Sequence, residues 1–286
     1  MMAEKKGIKM ETLLKIIIVL IILALGFLAY YYFFILPKRG AGIVETGEEE
    51  LGPFKFKMAI YGPGPNQGTP GGLARPQYVA ADKNGNIYIT DEWHRFTVYN
   101  DAGRYLYYVG QRGVASPRPG RKSDWEPGDL YYPSGIDIAE DGKVYVADMK
   151  NTRIQVFDST GDFLDWFPKE REEGDLFFPN DLYVKDGKIY VADGLNNQVR
   201  IYDTEGKLLK KFGELGRSPG EINAPGGIAV ADDGTIYLTD KFNLTLTAFT
   251  PEGELKWVKG EAPKTDREPR LFGIPAGVDV TKKGNI

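Results

Sequence analysis

The stretch EDGKVYVADMKNTRIQVFDSTGDFL, Glu140–Leu164, decides the fold because its first half recurs along the chain. In each full copy a glycine is followed by a strand-like run that ends in aspartate. The copies are NGNIYITD from Asn84, KDGKIYVAD from Lys185, DDGTIYLTD from Asp232 and an opening fragment, TKKGNI, from Thr281. A fixed internal period predicts a fold built from stacked copies of one unit.

A proline opens each copy, and the spacing of the prolines gives the size of the unit. They are Pro76, Pro133, Pro179, Pro225 and Pro275, which lie 57, 46, 46 and 50 residues apart. This period is typical of a propeller blade. Alternating apolar runs separated by glycine turns divide each copy into four strands. We therefore predict four-stranded antiparallel sheets stacked face to face around an axis.

A second signature links one unit to the next, with glycine five residues before proline in every instance. The instances are PGGLARP from Pro70, PGDLYYP from Pro127, EGDLFFP from Glu173 and PGEINAP from Pro219. The linking segment and the loop between the second and third strands are expected on the face where each first strand begins.

Two segments, Tyr145–Leu164 and Tyr190–Leu209, closely resemble the NHL repeat, the unit of a family of β-propellers. The resemblance extends over residues 54–286 and implies an all-β propeller with six blades when complete. About four and a half blades are present, so we expect a chain truncated at its C-terminus. Phe54–Gly62 is expected to be a strand that closes the last blade.

The N-terminal region predicts a membrane anchor. Ile16–Leu36 is an uncharged run of 21 residues, long enough as a helix to cross a hydrocarbon core of about 30 Å. Basic residues concentrated before it favour a cytoplasmic N-terminus, residues 1–15, and an extracytoplasmic propeller at the cell membrane. Residues 37–53 are predicted to be a linker, and residues 54–286 the incomplete propeller.

The composition excludes several kinds of site and partner. The absence of cysteine removes disulfides and thiolate chemistry, and a single histidine, His94, cannot form a three-histidine zinc site. Residues 1–40 carry six basic and two acidic side chains, so the net charge of −4 leaves −8 for the rest. Such an acidic body argues against a nucleic-acid partner.

Variable loop residues on the face where the first strands begin are the candidates for binding a protein, peptide or glycan. The long segment Gly110–Asp129 adds basic residues and a tryptophan, which would suit an anionic peptide or glycan group. The loop candidates are Trp93, His94, Tyr131, Tyr132, Phe177, Phe178, Asn180 and Phe242. The long segment contributes Arg112, Arg118, Arg121, Lys122 and Trp125.

The first strands supply candidates for the central channel. Strand alternation directs Val79, Ala81 and their counterparts to the core, and Asp137, Asp181 and Asp279 to the axis. We expect no cofactor, with Ca²⁺ held by these three carboxylates as the alternative. The recurrent Asp91, Asp148, Asp193 and Asp240 are predicted to stabilise the turn after the second strand.

Two functions follow as hypotheses. The first is a membrane-anchored binding module that recognises its ligand with the loops described above, because function is carried by sites grafted on the scaffold. The alternative is a metal-dependent lactonase- or lyase-like enzyme with its site at the channel mouth, which the resemblance to such propellers implies. A histidine-bound zinc of the lyase type would need more than His94.

Overall fold

A computed structural model describes residues 50–51, 54–55, 71–113, 125–169, 176, 178–260, 272–281 and 283–286. The chain divides into two compact units, Met1–Gly72 and Leu73–Ile286. The predicted span Ile16–Leu36 lies outside the described residues. Within the described ranges, no helix is both long and apolar enough to cross a bilayer.

The described part of the first unit is a short antiparallel ladder. Strand β1 (Glu50–Leu51) pairs with β2 (Phe54–Lys55). Strand β1 falls within the predicted linker, and β2 begins the segment predicted to close the last blade. The rest of that segment, residues 56–62, lies outside the described residues.

The described residues of the second unit form four antiparallel four-stranded sheets that resemble propeller blades. Sheet 1 has β3 (Val79–Ala81), β4 (Ile87–Asp91), β5 (Arg95–Tyr99) and β6 (Tyr105–Val109). Sheet 2 has β7 (Pro133–Ile138), β8 (Val144–Asp148), β9 (Arg153–Phe157) and β10 (Phe163–Phe167). Sheet 3 has β11 (Pro179–Lys185), β12 (Lys188–Asp193), β13 (Gln198–Asp203) and β14 (Leu208–Phe212). Sheet 4 has β15 (Pro225–Val230), β16 (Ile236–Asp240), β17 (Thr245–Phe249) and β18 (Leu255–Lys259).

Each sheet follows its sequence order, as the repeat predicts, and the first strands of successive sheets lie side by side. Glycine permits the tight turns between strands, as at Gly142, whose φ is +89°. The fragment TKKGNI makes the same turn, in which Gly284 donates to the Thr281 carbonyl and Thr281 to the Asn285 carbonyl. A 3₁₀ turn, Met149–Asn151, connects β8 to β9.

The hydrophobic core lies between successive sheets. Phe96 and Val98 of sheet 1 pack against Ile136 and Val146 of sheet 2. Similar clusters join sheet 2 to sheet 3 and sheet 3 to sheet 4. The alternating strands therefore bury apolar side chains on both faces of the inner sheets, as stacking requires.

The first strand of sheet 1 departs from the predicted alternation. Val79 is 66% exposed, whereas Tyr78 and Ala80 pack against the core between sheets 1 and 2. In sheets 2 to 4 the equivalent residues Ile136, Leu182 and Ile228 are buried, as predicted. The difference arises because no sheet among the described residues packs against the side of β3 that carries Val79.

The recurrent aspartates bond to the turn after the second strand, with backbone donors in sheets 1 and 4 and asparagine side chains in sheets 2 and 3. The predicted bonding to the turn backbone is thus confirmed for Asp91 and Asp240. Asp91 accepts a hydrogen bond from Trp93 N at 2.9 Å, and Asp240 accepts from Asn243 N at 2.7 Å. They are also fully or almost fully buried, which raises the pKa of Asp91, Asp148 and Asp240.

Arginines compensate the buried charge in three of the four sheets. Arg95 and Arg153 pair with the aspartate of their own sheet. In sheet 3 the partner of Asp193 is Arg200, at 2.6 Å, which lies two positions further along the third strand than Arg153 does in sheet 2. The arginine of the repeat therefore has a buried structural role whose position along the third strand varies.

Candidate functional site

The loops predicted to share a face do so. Pro133 at the start of β7 pairs with Asp148 at the end of β8, and sheets 3 and 4 show the same register. The linking segments and the loops after each second strand thus lie at one end of the sheets. We call this end the upper face. It includes residues 92–94, 130–132, 149–152, 194–197 and 241–244, together with Arg112, which forms a β-bridge with Leu130.

A cavity of about 910 Å³ lies along the first strands. Its lining includes Tyr132, Asn180 and all three of the predicted channel aspartates. The residue that follows the recurrent aspartate also lines it in three sheets, as Glu92, Met149 and Lys241.

Two of the three channel aspartates connect neighbouring sheets. Asp137 of β7 accepts a hydrogen bond from Val184 N of β11 at 2.7 Å. Asp181 of β11 likewise accepts from Ile228 N of β15 at 3.0 Å. The second oxygen of each accepts from the next residue of its own strand. These carboxylates therefore hold the first strands together.

The third aspartate, Asp279, is exposed and accepts from Val280 N. It lines the same cavity as the other two. Within the described ranges, no group of three or more histidine, aspartate and glutamate side chains is arranged to hold a metal ion. The predicted Ca²⁺ site thus has its residues in one cavity but no metal-binding cluster among them.

Burial changes the ionisation of the cavity residues. It raises the pKa of Asp137 to about 6, with a further contribution from Asp279, while the backbone donors Val184 and Ile138 oppose the rise. Burial also raises the pKa of Asp181 well above its usual range. It lowers the pKa of Lys241, and the nearby Asp181 carboxylate partly offsets this.

A group of aromatic and basic side chains adjoins the cavity on the upper face. We call it the His94 cluster, and it consists of His94, Arg112, Tyr131, Tyr132 and Lys150. The His94 ring lies 4.7 Å from the Tyr132 ring and 5.5 Å from the Tyr131 ring. The Lys150 ammonium lies 4.5 Å from the Tyr132 ring, and the Arg112 guanidinium 5.2 Å from the Tyr131 ring. Tyr132 belongs to both the cluster and the cavity lining.

Backbone geometry fixes the position of the cluster. His94 and Tyr132 both have positive φ, 64° and 54°, and Tyr132 N donates to His94 Nδ1 at 3.1 Å. A neutral His94 thus carries its proton on Nε2. Burial lowers the pKa of His94, and the positive charges of Arg112 and Lys150 lower it further, against an opposing effect of Glu92.

Other predicted residues of the upper face have partners within the protein. The ring of Trp93 lies under the Arg95 guanidinium at 4.6 Å. Trp125 donates from Nε1 to the Asp129 carbonyl and lies under the Arg153 guanidinium at 3.9 Å. Asn180 donates to the Pro225 carbonyl of the next sheet at 2.6 Å. These three side chains support the fold at or near the upper face.

Two further candidates differ in exposure. Phe242 is 66% exposed in the loop after β16. Phe178, which precedes Pro179, is half-buried and has a positive φ of 64°. The remaining candidates, Arg118, Arg121, Lys122 and Phe177, lie outside the described residues.

Lys241 is the functional candidate that sequence reasoning missed. The sequence feature that could have identified Lys241 is its position directly after the recurrent aspartate. Glu92 and Met149 hold the equivalent position in sheets 1 and 2 and also line the cavity. The role of Lys150 could not be predicted either, because the sequence does not show that its ammonium meets Tyr132.

Comparisons with known proteins agree with the repeat. The NHL repeat model matches residues 130–157. A search of curated protein sequences finds no significant match. The chain thus contains an NHL repeat over the segment that forms β7, β8 and β9 of sheet 2.

Two solved structures of virginiamycin B lyase from Staphylococcus aureus are similar in fold. A catalytically inactive form with quinupristin has 16% identity and a TM-score of 0.53, covering 78% of this chain and 64% of that chain. The selenomethionine form has 17% identity and a TM-score of 0.51, covering 74% and 61%. This chain therefore spans less than two thirds of those proteins, and the similarity shows a propeller-like fold alone.

Proposed function

We propose that this protein is a binding module that recognises a protein, peptide or glycan with the upper face of its propeller-like unit. The observation that supports this most strongly is that Tyr132 belongs both to the His94 cluster and to the cavity lining. The cluster and the cavity therefore form one continuous surface. A concave site with aromatic walls and a few placed polar groups is the usual form of a ligand site. Exposed Phe242 adds an apolar contact on the same face.

We also propose that Ile16–Leu36 anchors the protein in the cell membrane, with the N-terminus in the cytoplasm. The uncharged run of 21 residues and the basic residues before it support this. The remaining chain, at a net −8, would then face the outside and bind no nucleic acid. We propose six blades for the propeller from the resemblance to the NHL repeat.

An enzyme remains the second candidate, and the cavity supplies the observation that favours it. Asp137, with its pKa raised to about 6, and Lys241, with its pKa lowered, line the same space. Perturbed ionisation in a cavity is typical of catalytic sites. The hydrogen bonds that Asp137 and Asp181 accept from the next sheet give these residues a structural role, so we rank the binding function first.

A printed array of glycans and short peptides tests the binding function. The full chain, kept in a mild detergent because of its apolar run, is expected to retain a related set of ligands. Tyr132→Ala should weaken this binding about tenfold or more, since truncation of a central aromatic side chain removes much of the binding energy. The control is Tyr108→Ala on the outer strand β6, where the side chain is exposed. Equal binding by both variants would contradict an upper-face site.

Cysteine labelling tests the membrane topology, because the chain has no cysteine of its own. Lys188→Cys, at the exposed start of β12, should react with an impermeant maleimide on intact cells. Lys5→Cys should react only after permeabilisation. The reverse pattern would show that the proposed orientation is wrong.

A further inference from the structure

We propose that the His94 cluster binds an acidic saccharide, with a uronate carboxylate between Arg112 and Lys150 and the sugar hydroxyls on the tyrosines and His94. This inference rests on the proposed binding function and names the class of ligand that the upper face selects. The observation that supports this inference is the position of two basic groups beside three aromatic rings.

Arg112 and Lys150 form the charged half of the site. Both side chains are exposed, and neither pairs with a carboxylate within the described part of the chain. Other cations near them are paired, as Arg75 is with Glu92 and Arg153 with Asp148. Two unneutralised cations over adjacent rings on an acidic body form a local site for an anion.

The neutral half consists of the phenol groups of Tyr131 and Tyr132 and Nε2 of His94. Among the described residues, no protein group forms a hydrogen bond with any of these three atoms. The rings meet at angles of 71°, 64° and 52°, so they form an aromatic corner. Such rings present apolar faces together with polar tips.

A saccharide acid satisfies both halves, whereas an acidic peptide satisfies one. The carboxylate of a uronic acid pairs with the cations, while its hydroxyls give and accept hydrogen bonds at the phenols and the imidazole. The C–H faces of the sugar ring can pack against tyrosine. A glutamate or aspartate side chain would engage the cations and leave the neutral groups without partners.

Calorimetric titration of the full chain in detergent tests the proposal with three probes of defined chemistry. These are tri-galacturonic acid, the neutral sugar maltotriose and hexaglutamate. We expect tri-galacturonic acid to bind, and maltotriose and hexaglutamate to bind at least about tenfold more weakly, since a hydrogen bond to a charged group contributes about 1.5–3 kcal/mol. Raising the salt concentration should weaken the binding of tri-galacturonic acid.

Variants separate charge from hydrogen bonding. Arg112→Ala and Lys150→Ala should each weaken tri-galacturonic acid binding about tenfold, and Tyr132→Phe about threefold. The matched controls Arg104→Ala and Lys188→Ala remove exposed cations at the opposite end of the strands and should leave the affinity unchanged.

Two outcomes would overturn the proposal. If hexaglutamate binds as tightly as tri-galacturonic acid, the cluster recognises acidic peptides, and the saccharide class is wrong while the binding function stands. If tri-galacturonic acid does not bind, the saccharide class is also wrong. The array with Tyr132→Ala then decides separately whether the upper face binds a different ligand.

Discussion

Asp148→Ala is expected to lower the free energy of unfolding by about 3–5 kcal/mol, because it leaves a buried arginine and several donors without their acceptor. One carboxylate oxygen of Asp148 accepts from Tyr131 N at 2.7 Å. The other accepts from Arg153 Nε, Asn151 Nδ2 and Gln155 Nε2 at 2.8 to 2.9 Å. The side chain thus joins the linking segment to β8, β9 and the turn between them.

Chemical denaturation of the full chain in detergent measures this loss. The control is Asp141→Ala, at an exposed turn, where the ion pair with Lys143 is open to solvent. Such a pair contributes less than about 1 kcal/mol. If both alanine variants unfold at the same denaturant concentration, the recurrent aspartates do not organise the sheets. Because Tyr131 depends on Asp148, the first variant should also weaken ligand binding on the upper face.

The second large effect concerns the dependence of stability on pH at Asp137. Burial raises the pKa of Asp137 from 3.8 to about 6. The folded protein therefore binds more protons than the unfolded chain between these values, and stability falls as the pH rises through this window. The contribution of Asp137 is fully present below 3.8 and is lost above about 6.

Asp137→Asn isolates this contribution, since asparagine does not titrate. The difference in unfolding free energy between wild type and variant should decrease by about 2 kcal/mol from about pH 4 to about pH 7. Buried carboxylates that do not interact with Asp137, such as Asp148, titrate in both proteins and cancel in the difference. A difference that is constant over this range would show that Asp137 is not buried against the next sheet.

The sequence was sufficient to predict the sheets and the upper face because both follow from local patterns. The glycine turns and the alternation fix four strands in each copy, and strand order then fixes which loops meet. Part of the role of the recurrent aspartates was also predictable, because an aspartate before a turn can accept from the turn backbone, as Asp91 and Asp240 do.

Contacts between sheets could not be predicted in the same way. The alternation of side chains along a strand predicts the side on which Asp137 and Asp181 lie. It does not predict that the two carboxylates accept hydrogen bonds from Val184 N and Ile228 N of the next sheet. The exposure of Val79 depends likewise on what packs beside its strand. Arg200 pairs with Asp193 from a position two residues further along the strand than that of Arg153 in sheet 2, because either position reaches the carboxylate.

The His94 cluster shows the same limit for function. His94 and the two tyrosines were candidates as variable loop residues, but the sequence does not show that they meet. Tyr132 N donates to His94 across a separation of 38 residues along the chain. Only the packing of sheet 1 beside sheet 2 brings them together with Arg112 and Lys150. The proposed binding site is thus a property of the junction between two repeats.

The most direct test of this account is the nuclear magnetic resonance signal of the imidazole, because His94 is the single histidine of the chain. Titration with tri-galacturonic acid should shift the His94 ring resonances and raise its pKa, since a bound carboxylate favours the protonated ring. Maltotriose should leave them unchanged. If tri-galacturonic acid binds while the His94 resonances and pKa stay the same, the ligand does not occupy the cluster and the account is wrong.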